Sequence, residues 1–240
     1  MPRPTQAFID LSALAHNLGV VRQYVPCSRI MAVVKADAYG HGLLHTASAL
    51  KDVDGFALLE LDAAISLRDA GYQQPILLLE GFFSTEELAL FEQYRLSAVI
   101  HHSEQIAMLS DSKHHNLDLF LKINTGMNRL GLAPEQFPQI MKALTDHPGI
   151  DSITLMTHFA SADDPLEEDE VFQQLQYFEA ITQNHKYPHS LANSAAIIRY
   201  PVTHADWVRP GIMLYGASPF ADKTASELNL KPVMTLSSKI

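Results

Sequence analysis

The sequence is poor in cysteine, in tryptophan and in basic charge. Its one cysteine, Cys27, excludes an internal disulfide and points to a reducing, cytoplasmic compartment. Lys and Arg total 17 against 27 Asp and Glu, a net charge of −10, which argues against a nucleic-acid backbone as partner. No apolar run approaches a membrane span, and the opening segment MPRPTQAFID has no apolar signal core. Internal repeats, low-complexity tracts and long linkers are absent too, and the histidine spacings support no zinc site. Present are 47% hydrophobic and 18% charged residues, which exclude a disordered chain. With 240 residues, one large domain or two small ones can be built.

Short apolar runs punctuate the chain: IMAVVKA (30–36), GFALLE (55–60), PILLLE (75–80), SAVIHH (97–102), LFLKIN (119–124), ITLMTH (153–158), HSLANS (189–194) and WVRPGIMLYG (207–216). Most are continuously apolar, as strands covered on both faces are. Helix signals lie between them. Ser84 with Glu87 reads as a capping box, Asp62 as a cap, and Pro134 as a first-turn residue. Val171, Phe172, Leu175, Phe178 and Ile181 make one apolar stripe. The acidic run DDPLEEDE (163–170) reads as a loop and a first helical turn. Eight strands alternating with helices predict an α/β fold of the (β/α)8 TIM-barrel type. An open doubly wound sheet is the weaker alternative, because DAYGHG lacks the G-x-G-x-x-G spacing. The barrel is expected over 1–228, with 229–240 opening a C-terminal β domain that the chain does not contain; VMTLSSKI reads as its first strand.

In such a barrel, active sites form at the C-terminal ends of the strands. Lys35, Lys122 with Asn124, His158, Asn193 with Ser194, and Arg209 with Gly211 all fall there. A lone lysine or histidine at such a place is more often structural, but convergence on one rim changes that balance. Asn193-Ser194 and the Gly211-Ile212 backbone follow the seventh and eighth strands, where barrels of this kind bind phosphate through fixed donors. An amine for an aldehyde, an imidazole for a planar ring, a guanidinium for a ring nitrogen and a phosphate site together describe pyridoxal 5′-phosphate. A Schiff-base aldolase acting on a sugar phosphate would need a similar lysine but has less use for Arg209.

Four stretches, AVVKADAYGHG (32–42), LKINTGMNRLG (121–131), THFASAD (157–163) and WVRPGIMLYGASP (207–219), resemble the barrel domain of bacterial alanine racemases. LLLEGFF (77–83) and LANSAA (191–196) support the likeness, which runs through nearly the whole chain in order. These are pyridoxal-phosphate enzymes of fold-type III, homodimers with shared active sites that supply D-alanine for peptidoglycan. The resemblance implies that Lys35 carries the cofactor and serves as one of two acid/base groups. It places Tyr39 near the cofactor and its phosphate, His158 against the ring, and Arg209 at the ring nitrogen. Asn193, Ser194, Gly211 and Ile212 would line the cofactor, and Arg129 would support its phenolic oxygen and the substrate carboxylate. Lys122 matches a lysine that is carbamylated in many members.

The same resemblance implies a gap. The family's second base is a tyrosine from the C-terminal domain of the partner subunit, and nothing in residues 1–240 matches that motif. The chain alone is therefore expected to be inactive or very weak. A single-domain pyridoxal-phosphate homeostasis protein of the same barrel family is the alternative, and a non-enzymatic interaction module a more distant one. His41, His101, His102 and Cys27 are assigned no role.

Overall fold

The computed structural model describes residues 4–110 and 116–239. A short strand β1 (Gln6–Ile9) and helix α1 (Leu11–Tyr24) lead into β2 (Arg29–Val33). Asp10 caps α1, its carboxylate accepting from the Ser12 and Ala13 amides. Then β3 (Gly55–Leu58), β4 (Ile76–Leu78), β5 (Ser97–Ile100), β6 (Leu117–Lys122), β7 (Ile150–Met156), β8 (His189–Ser190) and β9 (Trp207–Val208) follow. Every neighbouring pair is parallel, and β2 pairs with β9, so the eight strands close into a barrel. The expected (β/α)8 architecture is the observed one, with each apolar run supplying its strand.

Two-sided burial explains why those runs do not alternate. Met31, Val33, Ala57, Leu77, Val99, Phe120, Met156 and Trp207 pack together inside the barrel. Their neighbours along the strands, among them Ile30, Ala32, Phe56, Leu58, Ile100, Leu121 and Leu155, belong to the core between strands and helices. Period two survives as a choice between two apolar environments, which hydropathy cannot distinguish. The helices completing the outer layer include α2 (Leu43–Ala49), α3 (Leu61–Asp69), α4 (Glu87–Gln93), α5 (Ser103–Ser110), α6 (Phe137–Thr145), α7 (Glu168–Thr182) and α8 (Ser194–Arg199). Among the described residues no helix is long and apolar enough to cross a membrane.

Three local expectations differ from the structure. Ser84 does not cap α4; the Glu87 carboxylate instead accepts from the Phe83 amide, fixing the loop before the helix. Asp62 lies inside the first turn of α3, where Glu60 holds the N-cap position. Phe172 on α7 is exposed, edge-on to Tyr200, and the helix buries two polar residues, Gln174 and Thr182. Pro134 opens a 3-10 turn ahead of α6, and the acidic run forms a loop and the first turn of α7, as expected.

After β9 the chain leaves the barrel along α1. The buried Asn17 amide donates to the Leu214 and Lys231 carbonyls, and its oxygen accepts from the Lys231 amide. At Gly216 (φ 81°) an added Cβ would stand 1.8 Å from the Lys231 carbonyl oxygen, so only glycine permits this approach. The segment ends in β10 (Met234–Ser237), antiparallel to β1 and outside the barrel. That strand was legible in VMTLSSKI; its partner near the N-terminus was not.

Candidate active site

Lys35 stands two residues beyond the end of β2, at the start of a left-handed turn. Ala36, Asp37, Ala38 and Tyr39 have φ between 51° and 55°, and Gly40 and Gly42 continue at 80° and 87°. Four consecutive non-glycine residues in this region are disfavoured by roughly 1–2 kcal/mol each. Local bonds hold them: the Ala38 amide donates to Val34, the Gly42 amide to Asp37, and the Asp37 carboxylate accepts from the Leu43 amide. Strain concentrated beside a lysine at a barrel mouth is a pattern of functional sites. The turn brings the Tyr39 ring to 6.0 Å from the Lys35 ammonium.

Across the mouth, Lys122 closes β6. The following loop returns on itself, with the Leu132 amide donating to the Lys122 carbonyl and the Asn124 amide to Leu132. The Asn124 side chain accepts from the Gly126 and Asn128 amides, so it shapes this loop and does not line the cavity. The loop carries Arg129 over the mouth. His158 follows β7, and its carbonyl accepts from Gln174, which also bonds Thr125 and the Ala160 amide. Asn193 caps α8 by accepting from the Ala196 amide, and the Ser194 hydroxyl accepts from the Gly211 amide at 2.9 Å. Arg209 is buried and donates to the Thr157 and Leu191 carbonyls and to the Ser190 hydroxyl.

All ten residues named from the sequence as site residues (Lys35, Tyr39, Lys122, Arg129, His158, Asn193, Ser194, Arg209, Gly211 and Ile212) line one cavity of about 680 Å³ at the C-terminal ends of the strands. A second cavity of about 530 Å³ lies at the opposite end, where the Arg29 guanidinium covers the Trp207 ring at 4.1 Å. The mouth also holds residues that sequence reasoning passed over. Glu80 and Asp163 are its carboxylates, and Leu59, Leu79, Leu130 and Met156 are part of its apolar wall. Gln174 does not touch the cavity but props the His158 loop; a polar residue on the apolar stripe of α7 was the available signal.

Charge distinguishes this cavity from the rest of an acidic chain. Lys35, Lys122, Arg129 and Arg209 line it, and none forms an ion pair among the described residues. Burial, then the nearby Arg209 and Arg129, push the Lys122 amine down to about 8. Burial lowers Arg209 to about 10, where it remains a cation and a pure donor at neutral pH. Burial and then Arg209 hold His158 well below the usual histidine range, so its imidazole is neutral at physiological pH. Unpaired cations, a neutral imidazole and hydroxyl and amide donors fit an anionic aromatic ligand such as pyridoxal phosphate. At Gly211 an added Cβ would stand 2.6 Å from the Tyr39 hydroxyl, so the bare backbone keeps this corner open.

The Lys122 shift makes a stability prediction with a definite sign. Its amine falls from 10.5 unfolded to about 8 folded, so the folded state binds the proton less tightly. The penalty, on the order of 3 kcal/mol, is fully present below about pH 8 and is lifted as pH rises toward the unfolded value. Lys122→Met is therefore expected to be more stable than wild type at pH 7 and to lose that advantage approaching pH 10.5. Denaturant unfolding across this range, in buffers purged of carbon dioxide, measures it; a pH-independent difference would contradict the shift.

Comparison with known proteins accords with this geometry. The family profile described as alanine racemase, N-terminal domain, matches residues 9–219. The alanine racemase of Nitrosospira multiformis is 59% identical over the whole chain, and that of Nitrosomonas europaea 61%; the chain covers 68% and 67% of their lengths. The crystal structure of the biosynthetic alanine racemase from Pseudomonas aeruginosa superposes with a TM-score of 0.92 at 43% identity, over 98% of this chain and 66% of that one. The structure from Acinetobacter baumannii does so at 0.91 and 41%, over 100% and 71%. The chain thus spans about two thirds of the length of these relatives. A closed parallel barrel, a lysine on a strained turn at its mouth and these matches lead to one conclusion: the chain belongs to the alanine racemase N-terminal domain family.

Proposed function

We propose that this chain is the cofactor-carrying barrel of a pyridoxal-phosphate-dependent alanine racemase, interconverting L- and D-alanine and supplying D-alanine for peptidoglycan. The observation that carries the reading is the cavity itself, where Lys35 meets three further cations and none of the four forms an ion pair among the described residues. When bound, pyridoxal phosphate supplies an electron-withdrawing ring that makes the substrate's α-proton labile. Lys35 would hold the cofactor through its amine and, once released, take or return the α-proton on one face. Tyr39, Ser194, Gly211 and Ile212 would hold the phosphate and Asn193 would line the cofactor beside them. His158 would rest against the ring, uncharged, and Arg209 would donate toward its nitrogen. Arg129 would hold the substrate carboxylate.

Lys122 has its own chemistry. An amine titrating near 8 is partly neutral at pH 7 and can attack carbon dioxide; the C–N bond forms and one proton leaves to solvent. The resulting carbamate would relieve the crowding of cations and accept from Arg129.

Racemisation needs acid/base groups on both faces of the α-carbon. The second would be a tyrosine outside residues 1–240, contributed by the C-terminal domain of the partner subunit in a homodimer. The chain alone is accordingly inactive or at least about 100-fold weaker than the whole protein. Borohydride reduction after incubation with pyridoxal phosphate is expected to leave the pyridoxyl label on the peptide containing Lys35. A label elsewhere, or none, in both this chain and the full-length protein would refute the function.

A further inference from the structure

Tyr215 was not picked out by the sequence reading and does not line the cavity, yet it is buried at 6% exposure directly behind it. It ends the short 3-10 turn Ile212–Tyr215, which follows directly on Gly211. Its hydroxyl donates to the Val33 carbonyl at 3.0 Å, at the last residue of β2. The Val33 amide donates to Pro210. Beyond that point the neighbouring chain turns away, and the phenol takes the carbonyl that a continuing strand would have paired. The same ring packs against Tyr39, with centroids 4.6 Å apart and planes at 30°, and against His41, at 4.7 Å and 37°. It thus touches the left-handed turn at both ends: through Val33 before Lys35, and through Tyr39 and His41 after it.

We propose that Tyr215 is a positioning residue: it clamps the left-handed turn 36–39 from outside and so fixes where the Lys35 amine and the Tyr39 hydroxyl point. Four non-glycine residues in an unfavourable backbone region persist only when their surroundings over-determine them. The bonds within the turn are local and would be available to other loop conformations, whereas Tyr215 ties it to the Gly211 corner of the cavity. Burial and the neighbouring Tyr39 raise the Tyr215 hydroxyl above the ordinary tyrosine value, so it stays a protonated donor at any working pH. The ring supplies a flat surface for Tyr39 and His41 and the hydroxyl supplies the tie to Val33; the two parts are separable by mutation. Aimed at cofactor capture, the proposal rests on the reading of Lys35 given above.

The test has two arms, using the chain as wild type, Tyr215→Phe and Tyr215→Leu. In the first, hydrogen exchange is followed without cofactor. Tyr215→Leu is expected to speed exchange of the Ala38, His41 and Gly42 amides roughly tenfold and Tyr215→Phe roughly threefold, with the β6–β7 ladder unchanged. In the second, the rate of pyridoxyl labelling at Lys35 under borohydride is expected to fall in the same order, while labelling of the surface residue Lys142 stays constant. Unchanged exchange over 36–42 in both variants, or an even rise across the whole barrel, overturns the clamp. If Tyr215→Leu does not fold, Tyr215→Phe decides by the same criteria. If wild type takes no label at Lys35, the functional reading fails, and the cofactor-free exchange still supports or overturns the clamp.

Discussion

Replacing Lys35 by alanine is expected to lower racemisation in the full-length protein at least about 1,000-fold, with little change in stability. In the proposed function one amine would serve twice, as the point of covalent attachment and as a proton carrier at the α-carbon. Its loss breaks no ion pair, since none is formed by Lys35 among the described residues, so the folded state should shift by no more than about 0.5 kcal/mol. Lys35→Arg separates charge from chemistry. It keeps a cation in the cavity, but guanidinium does not deprotonate in proteins and cannot act as a nucleophile, so the activity should be lost as fully. Steady-state racemisation together with thermal unfolding reads both effects. Substantial activity in either variant would remove Lys35 from the centre of the mechanism.

Arg209 carries the second large effect, on both stability and reaction outcome. Arg209→Met is expected to destabilise the chain by about 1–3 kcal/mol net, because the Thr157 and Leu191 carbonyls and the Ser190 hydroxyl lose their donor in a buried place, a loss that sparing the guanidinium its desolvation only partly offsets. Chemical denaturation measures that loss. Arg209→Glu addresses the chemistry. Guanidinium can only donate, and so favours an unprotonated ring nitrogen; a carboxylate there favours a protonated one. In the proposed reaction the arginine would keep electrons released at the α-carbon close to that atom, favouring its quick reprotonation. The glutamate would let them be drawn further away, so that protonation at the wrong atom would become competitive. Transamination relative to racemisation is expected to rise about tenfold or more, followed as keto-acid release per turnover at a temperature where the variant is folded. An unchanged ratio would leave Arg209 with a structural role alone. The same substitution removes one of the charges that depress His158, whose burial still keeps it low.

The barrel was legible because each strand announces itself locally as a short apolar run, and because eight such runs in sequence leave few architectures. The helix caps were not. Ser84 and Glu87 have the spacing of a capping box, but in the folded chain Glu87 reaches the Phe83 amide instead. A cap is decided by a single bond of about 1 kcal/mol, which tertiary contacts readily redirect. The site divides in the same way. Lys35, Lys122, His158 and Arg209 could be found by asking which polar residues end apolar strands. Glu80 and Asp163 are ordinary loop carboxylates until folding places them on the rim. Gln174 and Tyr215 are further from view, since each acts by propping a residue distant in sequence, and β1 gave no sign of pairing with β10.

From the order of its residues alone, this chain is committed to alternating strands and helices, to a lysine at the end of the strand beginning at residue 29, and to polar groups at four further strand ends. Those features depend on near neighbours, whose energetics travel with the sequence. Folding decided that the backbone after Lys35 would be left-handed, that four cations would share one cavity with no ion pair among the described residues, and that a tyrosine 180 residues away would brace the lysine's turn. Strain, desolvation and mutual repulsion are properties of groups brought together, and they acquire values only once the barrel has closed.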